Sequence, residues 1–144
     1  MITLSGLEKS FSRQKVLHDI SLTIPEGSVT ALIGPSGSGK STLLRCINLL
    51  EIAQAGKLTI GNEEIIFSPA AAPKRKDVRR ICQQTGMVFQ NFQLFPHLSV
   101  LENIMQGLVV VQKWPRERAR ARAEALLAKV GLAHKRHAWP AMLS

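Results

Sequence analysis

A chain of 144 residues that is 45% hydrophobic and carries a net charge of +9 has the length of one domain and enough apolar sequence to bury a core. Met1-Ile2-Thr3-Leu4 runs straight into charged sequence, so no secretory leader is expected, and no apolar run reaches the roughly 18 residues of a membrane-spanning helix, which leaves any membrane role to a partner. Two cysteines, Cys46 and Cys82, give neither a metal-ligand spacing nor a disulfide framework and read as packing residues or spare thiols in a reducing compartment.

The first 33 residues predict short strands. Val16-Leu17 and Ile20-Ser21-Leu22-Thr23-Ile24 alternate apolar and polar, and Pro25-Glu26-Gly27 is a turn. Ser28–Ile33 is mostly apolar and β-rich, as expected of a strand buried on both faces. The run Gly34-Pro35-Ser36-Gly37-Ser38-Gly39-Lys40-Ser41 follows, and it fits G-x-x-x-x-G-K-[ST] at every fixed position. Glycines at 34, 37 and 39 free the backbone to turn successive N–H groups inward around an anion. Leu43, Leu44, Ile47 and Leu50 predict a helix over 39–50, whose unpaired N-terminal N–H groups and positive dipole end face the same phosphates. Lys40 supplies a mobile charge for the β- and γ-phosphates, and the Ser41 hydroxyl can ligate Mg²⁺. Strand, loop and helix together are the context this motif needs. They predict a nucleoside triphosphate without naming a reaction.

Gly56 opens a strand at Lys57–Ile60, Gly61-Asn62 is a turn, and Glu64–Phe67 returns as the second arm of a hairpin. Residues 68–80 read as an exposed loop leading into a short helix. Gly86–Gln90 reads as a short buried strand, which sets Gln90 at a carboxyl end, where open parallel sheets hold their ligands. Beyond residue 96 the pattern becomes helical. Ser99 and Glu102 form a capping box before Leu101, Ile104 and Met105. Pro115 starts a further helix with the stripe Ala119, Ala123, Leu126, Leu127 and Val130, closed by Gly131.

The charge is uneven. Residues 74–80 carry five basic side chains against Asp77, and residues 113–137 carry eight against Glu117 and Glu124. Trp114 is the one aromatic residue among them, too few for a base-stacking platform, which argues against nucleic acid. Solvated helix faces, or a surface near anionic lipid head groups, are the expected reading.

Assembled in this order, the residues resemble the ATP-binding subunit of ABC transporters. Phe11 precedes Lys15-Val16-Leu17-His18-Asp19-Ile20-Ser21-Leu22, which is similar to the family's adenine-stacking loop and first strands. The stretch from Val88-Phe89-Gln90-Asn91-Phe92-Gln93-Leu94-Phe95-Pro96-His97 to Asn103-Ile104 is similar to its Q-loop and the start of its helical subdomain, most of all in importers of polar amino acids. The resemblance implies the P-loop NTPase fold of ABC ATPases in incomplete form. That form has an antiparallel β subdomain, a partial parallel-sheet core and a helical subdomain, divided into residues 1–95 and 96–144. It implies ATP and Mg²⁺ as ligands. Phe11 would stack on adenine, where the family more often has Tyr. Val16, Ser36, Gly37, Ser38, Gly39, Lys40, Ser41 and Thr42 would surround the nucleotide. Ser41 and Gln90 would serve Mg²⁺, with Gln90 coupling the metal and the attacking water to the helical subdomain. Residues Asn91 to Asn103 would border a groove for a cytoplasmic helix of an integral membrane permease subunit, with Phe92, Leu94 and Phe95 as its apolar contacts. A second copy would close over two ATP molecules at the cytoplasmic face of the cell membrane, where the subunit would be peripheral.

The sequence departs from the family at Leu143-Ser144, where the signature motif begins. The signature's glycines and glutamine, the Walker B aspartate, its neighbouring glutamate and the switch histidine have no counterpart here. The same gap is legible without the family, because after Gln90 the only acids are Glu102, Glu117 and Glu124, all in helical pattern. Phosphoryl transfer needs a metal-binding carboxylate and a group that orients water. The expectation is therefore a C-terminally truncated form that binds nucleotide without hydrolysing it. Two other readings stay open. One is a P-loop nucleotide kinase, against which stand the 28 or so residues ahead of the phosphate-loop strand; the other is a non-catalytic module that binds nucleotide or a permease.

Overall fold

The computed structural model describes residues 1–143, which form two compact units, Met1–Met87 and a second from Val88 onward. In the first, strands β1 (Ile2–Phe11), β2 (Gln14–Ile24), β3 (Ala55–Ile60) and β4 (Glu63–Phe67) make one sheet in the order β2-β1-β3-β4 with every pair antiparallel. Helices α1 (Lys40–Ile47) and α2 (Arg75–Gln84) complete the unit. Leu22, Leu4, Leu58 and Ile65 stand in one row across all four strands. That row packs with Leu7, Leu17, Ile60 and Phe67 against Leu43, Cys46 and Ile47 of α1 and Ile81 of α2. Cys46 is a packing residue, as its sequence context suggested. Burial pushes its thiol up to about 11, against the opposing pull of Lys9, so it stays a neutral apolar filler.

A bulge bends the sheet at its centre. Pairing of β1 with both neighbours slips between residues 4 and 8, where Gly6 takes φ +60 and donates its N–H to the Ser21 hydroxyl at 2.9 Å. Gly56 crosses this kink with φ +102, and a Cβ there would meet the Gly6 carbonyl oxygen at 2.5 Å and the Leu7 Cα at 2.7 Å.

Two sequence expectations are corrected here. Residues 28–33 and 86–90 are not strands, and the parallel-sheet core they were to begin is not formed among the described residues. Val29 is 99% exposed, Ile33 94% and Val88 92%. The reason is physical: a strand is defined by its ladder, and apolar β-branched sequence without a hydrogen-bonding neighbour stays extended and unpaired. The helix expected over 39–50 is shorter, Lys40–Ile47, and buries a single stripe, so Leu44 and Leu50 of its apolar repeat are exposed.

In the second unit α3 (Val100–Gln106) runs into a π-helical turn at Gly107–Val111, and α4 (Arg116–Lys129) follows Pro115. Val100, Leu101 and Met105 pack against Ala119, Ala123 and Leu127. The α4 stripe is narrower than its sequence suggests, since Val130 is exposed. The capping box forms as expected: Ser99 Oγ accepts from the Glu102 N–H at 3.3 Å, and the Glu102 carboxylate accepts from the Ser99 N–H at 2.8 Å and its hydroxyl at 2.7 Å. Gly131, at φ +74, donates to the Ala128 carbonyl and closes α4.

Replacing Gly56 with alanine forces backbone against backbone at a positive φ. It is expected to lower stability by about 2–4 kcal/mol, against about 1 kcal/mol for Gly131→Ala, where the added Cβ meets nothing within 4 Å. Urea midpoints of the two variants check this. The hydrogen bonds from the Ser99 hydroxyl, then from its backbone N–H, hold the Glu102 carboxyl below the usual glutamate range, with help from Arg116 and His137 and against the effect of desolvation. Folding thus favours the charged form. The contribution is complete above the unfolded glutamate value and is lost as the pH falls through the lowered folded one. The protection factors of the α3 amides, exchange rates taken relative to the intrinsic rate at each pH, should fall on acidification in the wild type and change less in Glu102→Gln; equal pH profiles would contradict the assignment.

Candidate functional site

The loop between Ile33 and α1 is shaped by its glycines. Gly37 takes φ +79 and Gly39 φ +89, and the Ser38 N–H closes a turn on the Pro35 carbonyl at 3.3 Å. Gly39 is also the N-cap of α1: its carbonyl accepts from the Leu43 N–H at 2.8 Å, and the first-turn N–H groups are left without intrahelical partners. Its missing side chain matters for packing. A Cβ on Gly39 would lie 3.1 Å from Leu17 Cδ2 and 3.2 Å from Val16 Cγ1, so the loop rests directly on β2.

Lys40 folds back over the loop. Its ammonium donates to the carbonyls of Gly34 at 2.8 Å and Pro35 at 2.7 Å and to the Ser38 hydroxyl at 3.3 Å. These are the partners a lysine takes when the charge it can serve is a mobile anion, because each is an exposed neutral acceptor that a phosphate oxygen outcompetes.

Phe11, Val16 and residues 36–42 line one open cavity of about 340 Å³. Phe11 ends β1, pairs with Gln14 across the Ser12-Arg13 turn and is 41% exposed. Val16 sits half-buried two residues into β2. One rim of the cavity carries the aromatic Phe11 and the other the glycine loop and the first turn of α1, with Lys40 among them. A flat base followed by a chain of phosphates has that distribution of chemistry. The exposed Ser41 hydroxyl, on the first turn of α1, is available as an oxygen ligand for a hard cation held by those phosphates.

Gln90 belongs to the second unit, exposed in a turn closed by the Phe92 N–H on the Phe89 carbonyl at 3.1 Å. Phe92, Leu94 and Phe95 are exposed beyond it. A residue the sequence reading passed over organises this segment. The Asn103 side-chain carbonyl accepts from the Phe95 N–H at 2.8 Å, and its amide donates to the carbonyls of Phe95, Leu98 and Ser99 at 3.0–3.1 Å. A polar residue one turn after an N-cap serine was the only sign of it. A second missed residue is Lys9, buried beside Phe11, whose place in an ordinary-looking strand gave no signal.

The antiparallel sheet, the glycine loop capping α1 and the helical pair are together the fold of an ABC ATPase. Residues 17–144 match the ABC transporter family, and the chain belongs to it. It is 51% identical over 143 residues to the L-cystine transport system ATP-binding protein TcyN of Escherichia coli K12, covering 99% of this chain and 57% of that protein. It is 51% identical over 144 residues to the arginine transport ATP-binding protein ArtM of Bacillus subtilis 168, covering 100% and 58%. The chain thus spans less than two thirds of the length of these relatives. Among solved structures it superposes with a TM-score of 0.82 and 30% identity on a post-hydrolysis dimer of the ATP-binding cassette MJ0796 bound to ADP and Pi, covering 100% of this chain and 63% of that one. CbiO1 of Clostridium perfringens, part of the ABC transporter complex cbiONQ, gives 0.79 and 29%, with coverage of 99% and 55%. The family binds ATP.

Proposed function

We propose that this chain is the nucleotide-binding part of an ATP-binding subunit that energises import of a small polar solute, an amino acid by the pattern of its relatives, through an integral membrane permease. The observation that carries the reading is the single cavity in which Phe11, the glycine loop and Lys40 meet. Phe11 offers its ring to adenine. The loop N–H groups of residues 36–41 and the dipole of α1 take the phosphates, and Lys40 leaves its loop carbonyls for the β- and γ-phosphate oxygens. Ser41 would hold Mg²⁺, which supplies charge neutralisation along the phosphates. Gln90 would carry the state of that site to the helical residues after 96. The segment Asn91–Asn103, with Phe92, Leu94 and Phe95 exposed, would receive the permease at the cytoplasmic face of the membrane. No helix of the described residues is long and apolar enough to cross a membrane. A second subunit would face the first across their nucleotides, as in the dimeric MJ0796 cassette.

Hydrolysis needs more than this cavity. Among the described residues no three His, Cys, Asp or Glu side chains cluster as a metal site, and no acid ends a strand beside the phosphate loop. The test is a calorimetric titration of the 144-residue chain with Mg·ATP. Binding is expected, weakened about 10- to 100-fold by Lys40→Ala. Phosphate release should stay at the buffer background. Unchanged affinity in Lys40→Ala would remove the site assignment, and Mg²⁺-dependent turnover by the pure chain would overturn the division between binding and hydrolysis.

A further inference from the structure

We propose that Lys9 positions the Phe11 ring as the base-stacking platform, holding it from behind through a cation–π contact; the proposal rests on the reading of the adjoining cavity as an ATP site. Lys9 is the one charged residue buried among the described residues, at 7% exposure. Its ammonium donates to the Ile52 carbonyl at 2.9 Å, pairs with the Glu51 carboxylate at 3.1 Å and stands 4.7 Å from the centroid of the Phe11 ring. An ammonium taken out of water needs all its directions satisfied, and here the third is the face of an aromatic ring.

The neighbouring residues show what this contact serves. Residues 8, 9 and 10 of β1 are each tied to the segment that follows α1. The Gln54 N–H donates to the Glu8 carbonyl at 2.9 Å, and the Gln54 side chain bonds both the N–H of Ser10, at 2.8 Å, and its carbonyl, at 3.0 Å. Glu51 in turn donates its N–H to the Arg45 carbonyl in α1. The helix that begins with Lys40 and the strand that ends with Phe11 are therefore stapled together, with Lys9 at the centre. Lys9 and Phe11 are two residues apart and share one face of β1. The ammonium covers one face of the ring. A base that stacks must use the other, so the cation fixes both the tilt of the platform and the side from which it is read.

The experiment compares two ligands, Mg·ATP and inorganic Mg·tripolyphosphate, by calorimetry. Removing both charges with Lys9→Met/Glu51→Gln leaves no orphaned ion. It is expected to weaken ATP about three- to tenfold while leaving tripolyphosphate within about twofold. Phe11→Leu should do the same, and adding it to the double variant should cost little more. Glu51→Gln alone, which keeps the ammonium over the ring, should retain ATP affinity. An unmodified chain that binds ATP no better than tripolyphosphate keeps the phosphate site and overturns the platform; one that binds neither overturns the site and the platform together. A double variant that binds ATP as the wild type does, or that loses both ligands in parallel, also overturns the proposal. A measurement on the unmodified chain needs no folding of a variant: the ε-methylene protons of Lys9 should be shifted upfield by the ring and stay so when ATP is added. Loss of that shift on ATP binding would show the ring leaving Lys9 and end the proposal.

Discussion

The phosphate loop stands where it does because Gly39 touches β2. With side chains of Leu17 and Val16 only a little over 3 Å from where a Cβ would be, and φ at +89, any other residue there would be strained and would press on β2. That contact sets the rest. It lowers the helix far enough for Leu43, Cys46 and Ile47 to reach the row of Leu4, Leu58 and Ile65, and it brings the loop beside the end of β1 that carries Phe11. Two ends of the cavity, one aromatic and one made of amides, are thereby fixed by a single close approach of backbone to side chain. The glycines are usually read as serving the ligand. Gly39 serves the core first, and the ligand geometry follows from the core.

Polar groups and charge follow the same economy. Among the described residues no buried side-chain nitrogen or oxygen lacks a partner, and the one buried cation is shared among a carbonyl, a carboxylate and a ring. The surplus positive charge stays outside. On α2, Arg75 and Arg79, and Lys76 and Arg80, repeat like charge at i,i+4, an arrangement that costs about 0.2–0.5 kcal/mol per pair. Only Arg80 finds an acid among the described residues, Glu63 at 3.7 Å. Val78 and Ile81 hold the helix on the sheet regardless. On α4 the burden is relieved locally, since Arg120 meets Glu124 at 3.6 Å and Arg118 lies over Trp114 at 4.1 Å. The exposed basic faces that the sequence showed are thus only partly neutralised within the chain.

What was legible in the sequence was local. The β3–β4 hairpin is announced by Gly61-Asn62, the α3 start by Ser99 and Glu102, and the phosphate loop by its fixed spacing. Each is a case in which a few consecutive residues decide their own backbone. The segments 28–33 and 86–90 failed because a strand is decided by its neighbour. Their composition names an environment buried on both faces, and the described chain provides no second strand to make one. The bulge at Gly6 was invisible for a related reason: it lies against Gly56, fifty residues away, where a side chain would meet the Gly6 carbonyl. Lys9 and Asn103 were missed because a buried lysine and a loop-organising asparagine are recognised by their acceptors, and those lie far along the chain or in an irregular loop.

The same distinction bears on how firmly the loop is held. Helix α1 is packed on one side, by the antiparallel sheet, while Leu44 and Leu50 stand in solvent along with Val29 and Ile33 just before the loop. A phosphate loop set between two packed layers would owe its rigidity to both. Here the loop is held by the Gly39 contact on β2 and by Lys40, whose ammonium bonds the Gly34 and Pro35 carbonyls. On the proposed reading, an incoming polyanion would replace those carbonyls as the partners of Lys40. Its affinity would then be the difference between phosphate–lysine bonds and lysine–carbonyl bonds already made, with the gain set by the greater strength of a charged pair. The cavity wall formed by Phe11 would carry no such exchange, because the Lys9 ammonium already stands over the ring. Base recognition would be prearranged, whereas phosphate recognition would proceed by displacement.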